Sequence, residues 1–90
     1  MSNISTTDSY TFTFILINAK KRADDACEEL NYLLIRNNQN FTRLDEFNAL
    51  HRNFENHYLR ARNTLNWVFR FYHTVQASKH SIAMENLVKD

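Results

Sequence analysis

The side chains best suited to chemistry in this sequence are four histidines, one cysteine and several carboxylates. A metal site on a helix needs ligands three or four residues apart, and the histidines never show that spacing among themselves. His51 and Glu55 form the one histidine–carboxylate pair at that spacing, which favours a partly buried, hydrogen-bonded histidine over a metal ligand. We therefore predict no metal site and no cofactor. The four histidines are His51, His57, His73 and His80.

The single cysteine, Cys27, cannot form an internal disulfide. We interpret it as a small packed apolar residue, because no histidine or helix N-terminus lies near it in the sequence to activate a thiolate. The N-terminus lacks the pattern of a signal peptide, and the longest apolar run, residues 14–17, is far below the ~18 residues that span a bilayer. We expect a cytoplasmic protein without membrane contact.

One string has a spacing that could support catalysis, Arg52-Asn53-Phe54-Glu55-Asn56-His57. It resembles the Arg-Asn-x-x-x-His motif of HEPN ribonucleases, helical proteins in which the Arg and His of two protomers meet across a dimer cleft to cleave RNA. The resemblance covers six residues and implies that His57 would move protons while Arg52 stabilises the charged transition state. The alternative is a solvated Arg52 and a His57 beside the core. We favour this alternative and predict that the chain is not an enzyme.

The 90-residue chain contains no Gly and no Pro. Phosphate-cradling glycine loops are therefore excluded, and folds built from many tight hairpin turns are disfavoured. The net charge is +1, but residues 56–90 hold five Lys or Arg against two Asp or Glu, so the second half is basic. These totals indicate a single domain of few, long helices.

Two heptad-like seams predict two long helices. The first helix is expected at about residues 8–36 and the second at 43–77, with a possible short C-terminal helix after Ser78. Between them, an Asn-rich loop at 36–40 supplies the left-handed residue that Gly usually provides. The first seam contains Phe12, Leu16, Ala19, Ala23, Ala26, Leu30 and Leu33; the second contains Leu44, Phe47, His51, Phe54, Tyr58, Ala61, Leu65, Val68, Tyr72 and Val75.

A short loop between long helices predicts an all-α, antiparallel helical hairpin, with the alanines of the first helix facing the aromatics of the second. Several apolar residues lie off both seams toward the open end of this hairpin. Either the tail folds back as a third helix, or a second protomer covers them and forms a four-helix bundle. We favour the homodimer. Its interface would contain Phe14, Ile15, Ile17, Phe69 and Phe71.

The second helix also carries a stripe of arginines around the only tryptophan. No acidic residue interrupts residues 56–84, and Arg and Trp are enriched at binding hot spots. The stripe indicates a protein partner, to which an acidic surface would be complementary, although interleaved basic and aromatic residues also suit RNA. A structural alternative is a Trp67 buried in the dimer interface. The stripe consists of Arg60, Asn63, Trp67 and Arg70, with Arg62 and His73 nearby.

Together these observations predict a small protein–protein interaction module: an adaptor, a regulatory subunit or an inhibitor of the kind that phages use against host proteins. Its rigid helix face would bind a macromolecular partner. The alternative is an RNA-binding helical bundle, followed by a HEPN-like ribonuclease that uses Arg52 and His57.

Overall fold

The computed structural model describes residues 2–38 and 40–89, with side chains from residue 11 onward. Three helices account for this part of the chain: α1, Ser2–Arg36; α2, Leu44–Asn63; and α3, Trp67–Lys89. No strand occurs in the described ranges. The prediction of an all-α protein is confirmed, but the number of helices is three where the two seams predicted two.

The first helix and the Asn-rich turn agree with the sequence. α1 ends at Arg36, as predicted, and Asn38 has the left-handed conformation (φ 57°) that closes the turn without Gly. The backbone N–H of Asn37 bonds to the carbonyl of Leu33 at 3.0 Å. The start of α1 was placed too late: the helix extends back to Ser2, because no Gly or Pro in the polar N-terminal segment stops it.

The long second helix is a wrong prediction. α2 ends at Asn63, and Thr64 is extended (φ −89°, ψ 141°). Asn66 then starts α3, since its side-chain carbonyl accepts hydrogen bonds from the N–H groups of Val68 (2.9 Å) and Phe69 (3.2 Å). The N–H of Asn66 itself donates to Thr64 Oγ1 at 3.3 Å. Residues 64–66 thus separate two helices, although the heptad pattern of apolar residues continues through them.

Because of this break, the far part of the second predicted seam is not buried. Leu65 is fully exposed, and Val68, Tyr72 and Val75 are also exposed. α3 buries a different set on the other side of the helix: Thr74, Ala77, Ser81, Met84, Leu87 and Val88. The residues after Ser78, predicted as a possible separate helix, continue α3 without interruption to Lys89.

Contacts between the helices show that the chain runs up, down and up. Cys27 lies against His51 and Lys20 lies over the ring of Tyr58, so α1 and α2 are antiparallel as predicted. α3 then turns back along α1, because Phe12 contacts Phe71 and Arg22 contacts Ser81. α3 packs against both other helices in a rod of 55 × 17 × 17 Å.

The core confirms the first seam and the first part of the second. Ala19, Ala23 and Ala26 are buried, and so are Phe47 and Phe54 of α2. Small side chains on α1 leave room for the aromatic rings and for α3. One polar link crosses this core: Arg22 Nη1 donates to the fully buried Ser81 Oγ at 2.8 Å, and Ser81 Oγ donates to the carbonyl of Ser78.

Replacement of the α3 cap, Asn66→Ala, is expected to lower the free energy of unfolding by about 1 kcal/mol, since two helix N–H groups lose their acceptor. Urea denaturation followed by circular dichroism measures this change.

Asn48→Ala is the matched control, because Asn48 is exposed within α2, in its second turn, and no side-chain hydrogen bond to a helix N–H is described for it. This substitution should leave the free energy of unfolding unchanged or raise it by a few tenths of a kcal/mol, because Ala has a higher helix propensity than Asn. Equal effects of the two substitutions would contradict a capping role for Asn66.

Candidate binding face

Large apolar side chains are exposed at the end of the bundle that holds the α2–α3 turn. Trp67 is 68% exposed and Phe14 is 66% exposed, so the tryptophan is at the surface of the single chain. We call this set the turn-end surface. Its members are Phe14, Ile17, Leu65, Trp67, Phe69 and Phe71. An apolar area of this kind on a small chain is typical of a contact surface.

The helix break divides the predicted Arg–Trp stripe between two depressions. Arg62 and Arg70 line a cleft of about 150 Å³ among all three helices, which we call the arginine cleft. Arg60, Asn63 and His73 line a shallower groove of about 380 Å³ with Phe69. Trp67 stands at the start of α3, next to the turn. The other residues of the arginine cleft are Thr13, Leu16, Ile17 and Tyr58.

The two guanidinium groups of the arginine cleft are held without a carboxylate. Arg70 Nη2 donates to Thr13 Oγ1 at 3.3 Å, while Arg70 Nε is buried and has no hydrogen-bond partner. The Arg62 guanidinium lies 5.7 Å from the ring centre of Tyr58, a cation–π distance. Among the described side chains, the ion pairs of Lys and Arg all lie elsewhere, so neither guanidinium has a carboxylate partner there.

Three histidines meet between α2 and α3, beside the groove. His57 Nδ1 and His73 Nδ1 are 2.8 Å apart, and the His80 ring stacks on His57 with centroids 5.5 Å apart. His80 Nδ1 donates to the carbonyl of Gln76, and Tyr72 contacts both His57 and His73 edge-on. A short Nδ1–Nδ1 hydrogen bond requires one ring to donate and the other to accept, so at least one of the pair is neutral.

Burial lowers the pKa of His57, and the charges of His73, His80 and Arg60 lower it further. The pKa of His73 is lowered in the same way, by burial and by Arg60. Burial and the neighbouring positive charges both disfavour a second positive charge at the contact between His57 and His73.

The histidine cluster was missed by the sequence analysis because its spacing rule considered one continuous helix. His57 and His73 are 16 residues apart, and only an antiparallel return of the chain brings them together. A signal for that return was present: Thr64 and Asn66 are strong capping residues, followed directly by an apolar run. Because Thr64 and Asn66 lie within an unbroken heptad pattern, this signal was not recognised.

Cys27 has a histidine neighbour that its own sequence surroundings did not indicate. Its Sγ lies 3.8 Å from His51 Nε2, and the same nitrogen lies 3.7 Å from Glu55 Oε1. A nucleophile relay needs the thiol at one ring nitrogen and the carboxylate at the other. Here one nitrogen faces both groups, and burial raises the pKa of the Cys27 thiol. The arrangement favours a packed, protonated cysteine.

The string that resembles the HEPN motif lies entirely on α2. Arg52 is exposed, and His57 is half-buried in the histidine cluster. Five residues turn an α-helix by about 140° beyond one full turn, so the two side chains of one chain point in different directions. Phe54, between them, belongs to the core.

Across the part of the chain with described side chains, no group of three or more His, Cys, Asp or Glu residues could hold a metal ion. No helix in the described ranges is long and apolar enough to cross a membrane. The sequence matches no protein-family model, no curated protein and no solved structure.

The histidine cluster predicts a loss of stability in mild acid. The unfolded chain takes up protons near the ordinary histidine pKa of about 6.5, while the lowered pKa values of His57 and His73 delay uptake in the folded chain. The free energy of unfolding should therefore fall as the pH drops from about 7 through 6.5 toward the lowered pKa values. Urea titrations across this range measure it.

The double variant His57→Asn/His73→Asn should flatten this dependence, whereas the matched control His51→Asn should retain it. His51 lies on α2 outside the cluster, beside Cys27 and Glu55. A pH dependence that survives in the double variant would show that other groups cause it.

Proposed function

We propose that this chain is a helical protein–protein interaction module that binds its partner through Trp67 and the nearby arginines, at the end of the bundle that holds the α2–α3 turn. The observation that carries the proposal is the exposed Trp67, about one helical turn before Arg70, which has no carboxylate partner among the described side chains. Trp and Arg dominate binding hot spots because each combines a large contact area with directional hydrogen bonds. Roles that fit such a module are an adaptor, a regulatory subunit or an inhibitor.

The charge of this region favours an acidic partner. Arg62 and Arg70 line one depression and Arg60 lines the other, and residues 56–84 contain no Asp or Glu. Complementary charge on a partner would speed association and fix its orientation. RNA is the alternative partner, because the same arginines and aromatic rings could contact phosphates and stack on bases.

A second part of the proposal concerns self-association. Phe14, Ile17 and Phe71 remain exposed after α3 has folded back, so the third helix does not cover the apolar residues that the sequence left over. We expect a second copy to cover them, with Ile15 and Phe69 at the same interface. Trp67 and the arginine cleft would stay open for the partner.

Substitution of the hot-spot tryptophan, Trp67→Ala, is expected to weaken capture of a purified partner by about 30-fold or more, since a central hot spot contributes about 2 kcal/mol. Helix content should stay unchanged because the side chain is exposed. Affinity capture with mass spectrometry identifies the partner, and surface plasmon resonance with that partner measures the change.

The matched control is Tyr32→Ala, an exposed aromatic residue near the other end of α1, which should bind as the wild type does. Equal binding by the wild type and Trp67→Ala would contradict the proposed face. If the captured ligand is RNA and its affinity falls steeply with salt, the RNA alternative replaces the protein partner.

Substitution of an apolar residue at the proposed interface by Glu tests the dimer. We expect the wild type to sediment as a dimer and Ile17→Glu or Phe71→Glu to sediment as monomers, because a buried unpaired carboxylate is costly. Ile35→Glu is the control: Ile35 is 70% exposed at the opposite end of α1 and should leave the dimer intact. A monomeric wild type, or dimeric Glu variants, would contradict this interface.

A further inference from the structure

We propose that the arginine cleft binds an oxyanion group, a carboxylate or a phosphate, through Arg62, Arg70 and Thr13. The inference rests on the proposed function in one respect: the group is expected to be carried by the docking partner. It adds the chemistry of the contact, which the proposed function leaves open.

Unmet hydrogen-bonding capacity is the first argument. Among the described side chains, Arg70 makes one bond, to Thr13 Oγ1, and its buried Nε has no acceptor. A buried donor without a partner is unfavourable, and a guanidinium is best satisfied by the two oxygens of a carboxylate or phosphate. The Thr13 hydroxyl accepts from Arg70 and, as a hydroxyl, also carries a proton that it can donate.

Uncompensated charge is the second argument. Arg62 and Arg70 line one cleft, and the described side chains give neither of them a carboxylate partner. The positive charges of Arg62 and Arg70 repel each other across the cleft. An anion bound between them would reduce this repulsion and would also accept hydrogen bonds. The buried Leu16 and the ring of Tyr58 form apolar walls, which strengthen the attraction by lowering the local dielectric constant.

Size and surroundings are the third argument. The cleft has a volume of about 150 Å³ and is partly open to solvent, so one charged group can enter it from outside. Thr13 and Ile17 also line an adjoining apolar groove with Phe14. The geometry therefore suits the end of one acidic or phosphorylated side chain, held beside the apolar groove that a second copy is expected to cover.

Arginine-side-chain NMR tests the inference on the isolated chain. Inorganic phosphate and acetate are titrated separately at constant ionic strength while the Nε–Hε signals are followed. We expect saturable shifts at Arg62 and Arg70 and none at Arg36, which lies at the far end of α1. Arg62→Gln and Arg70→Gln should each weaken binding about tenfold or more, and Arg36→Gln should not.

The two arms distinguish the source of the group. Tighter binding of phosphate than of acetate would assign the site to a phosphorylated partner, and the reverse order to an Asp or Glu side chain. Shifts that do not saturate, or that appear equally at Arg36, would overturn the inference. Circular dichroism checks folding, and Arg70→Lys provides a second variant that keeps the charge but loses the fork of donors.

Failure here is distinguishable from failure of the proposed function. If Trp67→Ala abolishes partner binding while Arg62→Gln and Arg70→Gln leave it unchanged, the oxyanion site is wrong and the interaction module stands. If phosphate or acetate binds the cleft saturably but Trp67→Ala leaves partner binding unchanged, the oxyanion site stands and the proposed face is wrong.

Discussion

The structure depends on one short turn, in which Asn66 caps α3 directly after α2 has ended. Its side-chain carbonyl satisfies two N–H groups of the first turn of α3, and Thr64 supports the turn from the other side. The cap lets the chain reverse without Gly or Pro, and the reversal lays α3 along α1. The histidine cluster, the arginine cleft and the position of Trp67 all follow from this reversal.

Absence of Gly and Pro has a second consequence, for rigidity. Both turns are closed by side-chain or left-handed Asn geometry, and each helix continues without a kink-forming residue. The small residues Ala19, Ala23 and Ala26 are buried and let α1 lie close to its neighbours, so packing sets the backbone positions from which the exposed residues project. Such a scaffold loses little entropy on binding, which favours a binding module over a protein that works by moving lids.

The sequence predicted the packing wherever local periodicity and three-dimensional contacts coincide. Leu16, Ala19, Ala23, Ala26 and Leu30 are buried as the first seam requires, and Asn38 closes the predicted turn. Beyond Ala61 the same heptad rule failed, because periodicity reports which residues share a face only while the helix continues. The competing signal at Thr64 and Asn66 is worth about 1 kcal/mol locally, and it decides the fold only together with burial of Met84, Leu87 and Val88.

The sequence indicates which residues belong to the candidate site but not how they are grouped in space. The Arg and Trp residues were identified by type and by the lack of acids around them, which needs no helix geometry. Their grouping was not predicted, because Arg62 and Arg70 line a cleft with Thr13 only when α3 packs along α1. The neighbours of Cys27 and His57 were likewise hidden, since both contacts join different helices.

The most direct test of this account is a distance between α1 and α3 in solution. Spin labels at the exposed positions Lys21 and Ile82, in a Cys27→Ser background diluted with unlabelled chain, report it by dipolar EPR. Since Arg22 contacts Ser81 and neighbouring helix axes lie about 10 Å apart, the account predicts labels within about 20 Å. A straight second helix would carry residue 82 about 35 Å along the rod from the level of residue 21, and that distance would contradict the account.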